Sequence, residues 1–144
     1  MLKGIDPLLS PDLLHALASM GHGDELAIVD ANFPAASNAR RLVESRGVGS
    51  PAMLAAVLSV FPLDTRVTPA AFTMEVTGDP AAIPPPVAEF AAVFTARGMA
   101  DAEIGHLERH AFYERARGAY AIVRTGEMRR FGNILLVKGV VASD

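Results

Sequence analysis

Two hydrophobic periods alternate along the chain. Apolar residues that recur every three or four positions predict amphipathic helices over 11–20, 50–61, 87–97 and 112–117. Short apolar or β-branched runs predict strands over 26–29, 42–44, 71–76, 120–124 and 133–141. This alternation of helices and strands along the chain is typical of an α/β fold, in which helices sandwich a mixed or mainly parallel sheet. We expect residues 1–144 to form a single domain of this kind.

Local signals mark where several of these elements begin and end. The segment Ser10-Pro11-Asp12 combines an N-cap, a first-turn proline and an acidic side chain that complements the helix dipole. Gly21 ends the first helix, and the segment 34–38 is predicted to be a loop. The first helix is therefore predicted to lead directly into a glycine-rich turn.

Residues 20–34 carry the most suggestive local chemistry. Gly21 and Gly23 flank His22, so an imidazole can project from a tight turn. A histidine just past a helix C-terminus is favoured in its protonated form, and a protonated imidazole can donate a proton. Asp30 follows an apolar strand directly, and the carboxyl ends of strands border the ligand crevice of open α/β sheets. The same pattern also suits a surface histidine without a chemical role.

Composition and charge narrow the range of partners. The formal net charge of −3 disfavours nucleic acid and anionic membranes as partners, because both attract concentrated positive charge. The chain has no cysteine, which excludes disulfides, zinc–thiolate sites and a cysteine nucleophile and is typical of a reducing compartment. Acidic and proline residues interrupt the N-terminal segment where a signal-peptide core would lie, and no apolar run is long enough to span a bilayer. We therefore expect a cytoplasmic protein.

Other candidate sites receive less support from the sequence. His106 and His110 are four residues apart, but no His-Glu-x-x-His motif is present and the local pattern is not clearly helical, so no metal site is predicted. Five arginines in the last third lie on different elements near acidic residues, which favours a salt-bridged surface over a nucleic-acid patch. They are Arg115, Arg117, Arg124, Arg129 and Arg130. Motifs for nucleotide binding and serine hydrolysis are absent from the sequence.

Several short motifs, taken together with their order and their separations along the chain, resemble those of a known family. They are Met-Leu-Lys at 1–3 with Pro-Leu at 7–8, Met-Gly-His-Gly-Asp-Glu at 20–25, Asp-Ala-Asn-Phe-Pro at 30–34, Arg-His-Ala-Phe-Tyr-Glu-Arg-Ala at 109–116, and Thr-Gly-Glu at 125–127 followed by Gly-Asn-Ile-Leu-Leu at 132–136. Over nearly its whole length the chain is similar to the fucose mutarotases and ribose pyranases, small cytoplasmic enzymes of monosaccharide uptake. The resemblance implies an enzyme that interconverts the anomers of a free sugar without a cofactor.

The resemblance also implies roles for individual residues. His22 matches the proton donor of the family, and Asp30 matches the aspartate that binds the sugar. Arg109 matches a further substrate contact, at a position where ribose pyranases carry histidine. The family's Tyr-Gly-Asn segment corresponds to Phe131-Gly132-Asn133, and Phe131 lacks the phenolic hydroxyl of the family tyrosine. Any contact made by that hydroxyl is lost, whereas backbone contacts and the Asn133 amide can remain.

Mutarotation suits these residue types on chemical grounds. The ring opens when the ring oxygen gains a proton and the anomeric hydroxyl loses one, and closure on the other carbonyl face reverses both transfers. An imidazole with an ordinary pKa near ~6.5 can serve as the donor at neutral pH, where general acid–base catalysis contributes about 10²–10⁴-fold. The other polar side chains can hold the sugar hydroxyls during the transfers.

The spacing of His22 and Asp30 predicts self-association. An extended chain of that length reaches about 26 Å, so both side chains can contact one hexose only if the turn folds back or another subunit contributes. The family resemblance implies ring-forming homo-oligomers, decameric in bacterial members, with sites near subunit contacts. We therefore expect a homo-oligomer whose active site is completed between neighbouring subunits.

The identity of the sugar is a separate question. The motifs at 30–34 and 109–114 resemble the fucose branch, and Phe112 and Tyr113 could pack against an apolar sugar face or a C5 methyl group. A ribose pyranase is the second interpretation. A third is an oligomeric sugar-binding protein without catalytic activity, which the loss of the hydroxyl at Phe131 would favour and the intact His22 opposes.

Overall fold

One six-stranded sheet organises the structure, a computed structural model that describes residues 1–143. The strands are β1 (Glu25–Val29), β2 (Leu42–Ser45), β3 (Ala71–Met74), β4 (Ile104–Leu107), β5 (Ala121–Thr125) and β6 (Ile134–Val137). Their order across the sheet is β2-β5-β1-β6-β3-β4. The strands β2, β5 and β1 are parallel, as are β3 and β4, while β6 runs antiparallel to both β1 and β3. The mixed sheet expected from the sequence is confirmed.

The reversed direction of β6 decides where the loop before it lies. Ile134, the first residue of β6, pairs with Ile28 near the end of β1 and with Thr73 near the end of β3. The loop that precedes β6 therefore reaches the edge of the sheet at which β1 and β3 end. A parallel β6 would carry that loop to the opposite edge.

Helices cover both faces of the sheet, as expected. They are α1 (Pro11–Ser19), α2 (Ala35–Asn38), α3 (Ser50–Leu58), α4 (Pro85–Ala96) and α5 (Arg109–Gly118). The Ser10 hydroxyl accepts the backbone N–H of Leu13 at 3.2 Å, so the predicted cap of α1 is confirmed. Within residues 1–143, no helix has the length and apolar character needed to cross a membrane.

The alternation of side chains along each strand divides the core in two. Leu26 and Ile28 of β1 belong to a cluster that includes residues of α1, α3 and α4. Ala27 and Val29 point the other way and join a smaller cluster with residues of α2 and α5. All four side chains are fully buried, which is why this stretch is uniformly apolar rather than alternating.

Three predicted segments differ from the observed elements. Segment 34–38, predicted to be a loop, contains the single helical turn α2. Segment 105–110, which showed no clear pattern, contains the edge strand β4 and the start of α5, because an edge strand needs no continuous apolar run. The strand predicted over 133–141 ends at Val137 in the structure. Beyond it, Lys138 forms an isolated antiparallel β-bridge with Leu63.

Candidate functional site

A cavity of about 650 Å³ opens at the edge of the sheet where β1 and β3 end. Its walls come from the ends of these strands, from the first turns of α5 and from the loop before β6. The lining residues are Asp30, Asn32, Phe33, Met74, Val76, Thr77, Arg109, Tyr113, Arg130, Phe131 and Asn133. This volume is typical of a small-molecule site, and the wall mixes apolar side chains with a few polar groups.

Asp30 and Asn133 form the polar centre of the cavity wall. The Asn133 amide oxygen accepts the backbone N–H of Asp30 at 2.8 Å, and the amide nitrogen donates to Asp30 Oδ2 at 3.1 Å. Both residues are buried, with exposed fractions of 4% and 3%. They are 103 residues apart in sequence. The antiparallel register of β1 and β6 is what brings them together.

The Asp30 carboxylate is held by its own loop. Oδ1 accepts the backbone N–H groups of Asn32 at 3.0 Å and Phe33 at 2.9 Å. Burial raises the pKa of Asp30, and these hydrogen bonds, together with the one from the Asn133 amide, oppose that shift. Within residues 1–143, Oδ2 accepts a single hydrogen bond, so it keeps a lone pair for a further donor.

The segment Phe131-Gly132-Asn133 forms part of the cavity wall, and both its backbone conformation and its packing are restricted. Phe131 has a φ of +62°, a left-handed conformation that is unfavourable for a residue with a side chain. Gly132 is buried behind the cavity wall, and a Cβ there would lie 2.7 Å from Glu127 Cγ and 3.0 Å from the Ser50 hydroxyl. A side chain at position 132 would therefore displace the segment that carries both neighbouring lining residues.

Glu127 anchors this segment from behind. Its carboxylate accepts the backbone N–H and two guanidinium nitrogens of Arg129, at distances of 2.8 to 3.0 Å. Arg129 lowers the pKa of Glu127 and also pairs with Glu89 of α4. The Glu127 carbonyl accepts the N–H of Ala31 at 2.8 Å, which connects the loop after β1 to the loop before β6. Glu127 therefore stabilises both the loop that carries Asp30 and the loop that carries Asn133.

The first turns of α5 bring a cation and an aromatic ring to the cavity. Arg109 begins this helix and, within residues 1–143, makes no ion pair or side-chain hydrogen bond. Tyr113 follows one turn later and contacts Phe33 edge to face, with ring centroids 5.3 Å apart. Phe112 is fully buried in the core and does not line the cavity, so the expectation that it packs against a sugar was wrong.

His22 lies at the opposite edge of the sheet. The five residues of β1, which span about 16 Å, separate its turn from the loop of Asp30. Gly23 donates its N–H to the Lys138 carbonyl, which fixes the turn against the far end of β6. The turn does not fold back, so one chain does not bring His22 to the cavity that Asp30, Arg109, Phe131 and Asn133 line.

An aspartate accompanies His22 at its own edge. His22 Nε2 lies 3.0 Å from Asp64 Oδ2, and the exposed fractions of the two side chains are 43% and 5%. The Arg66 backbone N–H binds Asp64 Oδ1 at 2.9 Å and, with His22, lowers the pKa of Asp64. The ring is therefore held by a carboxylate on one nitrogen, and Nδ1 is left to interact with a ligand.

The sequence did not identify several lining residues. Val76 and Thr77 lie two and three residues beyond the end of β3, and Asn32 and Phe33 lie three and four residues beyond the end of β1. Asn32, Phe33 and Thr77 lie beyond the carboxyl ends of predicted strands, so the rule that singled out Asp30 would have found them too. Val76 was predicted to be the last residue of its strand, which in the structure ends at Met74. Arg130 was expected on a salt-bridged surface, but it lines the cavity.

No group of three or more histidine, cysteine, aspartate or glutamate side chains that could hold a metal occurs within residues 1–143. His106, one of the two histidines considered for metal binding, lies on β4 with Nδ1 2.6 Å from the Thr73 hydroxyl. His110 lies on α5, so the two histidines belong to different elements. This separation removes the helical i, i+4 arrangement on which a metal site would depend.

The sequence is similar to proteins of one family. The model of the RbsD / FucU transport protein family matches residues 3–141. The L-fucose mutarotase of Actinobacillus pleuropneumoniae serotype 5b (strain L20) is 43% identical over 143 residues, which cover 97% of this chain and 97% of the relative.

Two solved structures have the same fold. The fucose mutarotase from Streptococcus pneumoniae, solved in complex with L-fucose, superposes with a TM-score of 0.91 and 43% sequence identity, covering 98% of this chain and 100% of the other. Bacillus subtilis RbsD, solved with D-ribose, gives a TM-score of 0.74 and 23% identity, covering 99% and 100% of the two chains. At that identity the second likeness supports the fold alone.

Proposed function

The chain belongs to the RbsD / FucU transport protein family, and we propose that it interconverts the α and β anomers of L-fucose by general acid–base ring opening. Full-length relatives and a solved structure carry the name fucose mutarotase at 43% identity. The observation that carries the proposal is the cavity, which gathers Asp30, Arg109 and Asn133 from three distant parts of the chain. These are the residues to which the family resemblance assigns sugar binding.

The proposed reaction moves protons and breaks one carbon–oxygen bond. Protonated His22 donates its proton to the ring oxygen, the bond from that oxygen to C1 breaks, and the anomeric hydroxyl gives its proton to Asp30. The product is an open-chain aldehyde. Rotation about the C1–C2 bond exposes the other face of the carbonyl, and closure returns both protons. Such a sequence consumes nothing, and the two side chains supply the acid and the base that it needs.

Asp30 is suited to the role of the base. Burial raises its pKa, which makes the carboxylate a better proton acceptor than an exposed one. The Oδ2 lone pair described above offers a place for the anomeric hydroxyl to bind. Arg109 and Asn133 can orient the remaining hydroxyls, because positioning the reacting groups contributes to the rate.

We propose that a second copy supplies His22 to each cavity. In one chain the histidine and the cavity lie at opposite edges of the sheet, although the resemblance assigns both to one reaction. The groove of about 540 Å³ beside His22 is largely apolar and includes Val60, Val140 and Val141, which are exposed in the single chain. A second copy that covers this groove would bury those side chains. A decameric ring and a cytoplasmic location belong to the same proposal and rest on the family resemblance.

L-Fucose is favoured over D-ribose by the residue at position 109. The chain carries arginine there, as the fucose branch does, and ribose pyranases carry histidine. Met74, Val76 and Tyr113 give the cavity an apolar wall on which a C5 methyl group can pack. A ribose pyranase therefore stays the second candidate, and a sugar-binding protein without catalysis the third.

Exchange NMR spectroscopy tests the proposal directly. The rate of α/β exchange is measured for L-fucose and for D-ribose with the wild-type protein, with His22→Ala and with His15→Ala. His15 is an exposed histidine of α1 that lies outside the cavity, so its variant is the matched control. We expect fast exchange of L-fucose that His22→Ala abolishes and His15→Ala leaves intact. Line broadening of either sugar without exchange above the buffer rate would instead support the binding protein.

A further inference from the structure

Arg130 adds a second cation, besides Arg109, to the lining of the cavity. We infer that the cavity also accepts a reducing sugar that carries an anionic group on its exocyclic carbon C6, a hexuronate being the simplest example. The inference rests on the proposed function, since the reacting end of the sugar is the same. It adds a substrate class, acidic monosaccharides, to the neutral one.

Among the residues that the structure describes, Arg130 lines the cavity without a carboxylate partner, whereas the two arginines before it in sequence, Arg124 and Arg129, are both paired. Five arginines bind carboxylates: Arg46 and Arg124 bind Glu44, Arg115 binds Glu25, Arg117 binds Glu114, and Arg129 binds both Glu89 and Glu127. Arg130 directly follows Arg129, yet within residues 1–143 it makes no ion pair and no side-chain hydrogen bond. An unpaired guanidinium that lines a cavity is available to a ligand.

Other charges on the cavity wall do not neutralise Arg130. Asp30 is the one carboxylate among the lining residues, and it makes no ion pair with Arg130. Arg109 is the second lining cation, but it lies beside Glu108, whose pKa it helps to lower. Two cations and one carboxylate therefore line the cavity, and Arg130 is the cation that does not follow an acidic residue in sequence.

The chemistry of ring opening restricts where the anionic group of a substrate can lie. C1 must carry a free hydroxyl, because the hydroxyl proton leaves when the ring opens. The oxygen on C5 must also remain the ring oxygen. C6, which in L-fucose is a methyl group, can carry an anionic group without the loss of any hydroxyl, so it is the position that we choose for the test. L-Galacturonate has a carboxylate in place of that methyl group alone, and L-galactose 6-phosphate places a phosphate at the same end. Both anions can accept a bidentate, charge-assisted pair of hydrogen bonds from a guanidinium.

The test compares exchange rates for neutral and anionic sugars of one configuration. Exchange NMR spectroscopy is run with L-fucose, L-galacturonate and L-galactose 6-phosphate on the wild-type protein, Arg130→Gln and Arg40→Gln. Arg40 is an exposed arginine before β2, outside the cavity lining, so its variant removes the same charge elsewhere. We expect the wild-type protein to accelerate exchange of at least one anionic sugar. In Arg130→Gln the ratio of its rate to that of L-fucose falls at least about tenfold, and Arg40→Gln leaves the ratio unchanged.

The outcomes separate this inference from the proposed function. Acceleration of L-fucose with neither anionic sugar affected overturns the inference and leaves the mutarotase proposal standing. If the ratio of the anionic-sugar rate to the L-fucose rate is equal in the wild type and in Arg130→Gln, Arg130 does not bind the anionic group and the inference is overturned. If no sugar exchanges faster than in buffer, the proposed function fails and the inference fails with it. A larger Arg130 dependence for the phosphate than for the carboxylate would identify sugar phosphates as the preferred class.

Discussion

Replacing Asn133 by alanine tests how the polar centre of the cavity is held together. The change removes the two hydrogen bonds that join this side chain to Asp30, one at its backbone N–H and one at its carboxylate. Both groups are buried, so water does not readily replace the lost partner. A hydrogen bond to a charged group contributes about 1.5–3 kcal/mol, and an unsatisfied buried N–H costs about 1–3 kcal/mol. We expect a destabilisation of roughly 2.5–6 kcal/mol in total.

We also expect the destabilisation caused by Asn133→Ala to depend on pH. Burial already raises the pKa of Asp30 above its ordinary value of 3.8, and the Asn133 amide is one of the groups that oppose the shift. Without the amide the pKa of Asp30 rises further. Because a raised pKa disfavours the ionised form in the fold, stability is lost as the pH rises through it. The destabilisation caused by Asn133→Ala is therefore larger at neutral pH than near the ordinary pKa.

Urea denaturation at one protein concentration measures this effect, since unfolding of an oligomer depends on concentration. Asn38→Ala is the matched control, because Asn38 makes its side-chain hydrogen bonds at the surface. We expect that control to cost less than about 1 kcal/mol. A loss below about 1 kcal/mol for Asn133→Ala, equal at pH 4 and pH 7, would refute the role given to the pair.

Two further predictions concern the supports of the site and its surface. Gly132→Ala places a Cβ 2.7 Å from Glu127 Cγ, so we expect overpacking of about 1–3 kcal/mol in urea denaturation and weaker binding of L-fucose. Glu44 lies between Arg124 and Arg46, and its hydrogen bonds to them lower its pKa to about 2. NMR titration of the Glu44 carboxyl group should give that value in the wild type and a higher one in Arg124→Gln.

For each of these two predictions, a specific experimental result would contradict it. Gly118→Ala, at a glycine with open space around its Cβ direction, is the control for Gly132→Ala. Equal stability of the two variants would mean that the close packing behind the cavity is absent. A Glu44 titration near the ordinary value of 4.5 would show that the ion pair with Arg124 does not form. Since the lowered pKa stabilises the pair above that ordinary value, the effect is lost only as the pH falls towards 2.

Much of the fold was predictable because the strongest signals are local. The buried run of β1 and the cap and proline that begin α1 depend on a few consecutive residues. The edge strand β4 was missed because its residues are only partly buried and need not be apolar. The antiparallel direction of β6 was not predicted either, since it depends on pairing with β1 and β3 rather than on its own sequence.

The site was predictable only where a motif or a strand end marked it. Asp30 follows from its position after β1, and Arg109 from the family resemblance. The separation of His22 from the cavity was anticipated from chain length, and the structure explains it by an extended β1 that lies between them. The position of Arg130 in the cavity lining was not predictable, because the sequence does not show which arginines find a carboxylate.

Mixed oligomers test most directly whether two copies build one active site. His22→Ala and Asp30→Asn chains, each first shown to fold by circular dichroism, are unfolded together at a 1:1 ratio, refolded and assayed for L-fucose exchange. In a ring where each cavity receives its histidine from a neighbour, about one quarter of the sites regain both groups, so about a quarter of the wild-type rate should return. Activity no higher than that of the separately refolded variants would contradict a shared site and require His22 to act within its own chain.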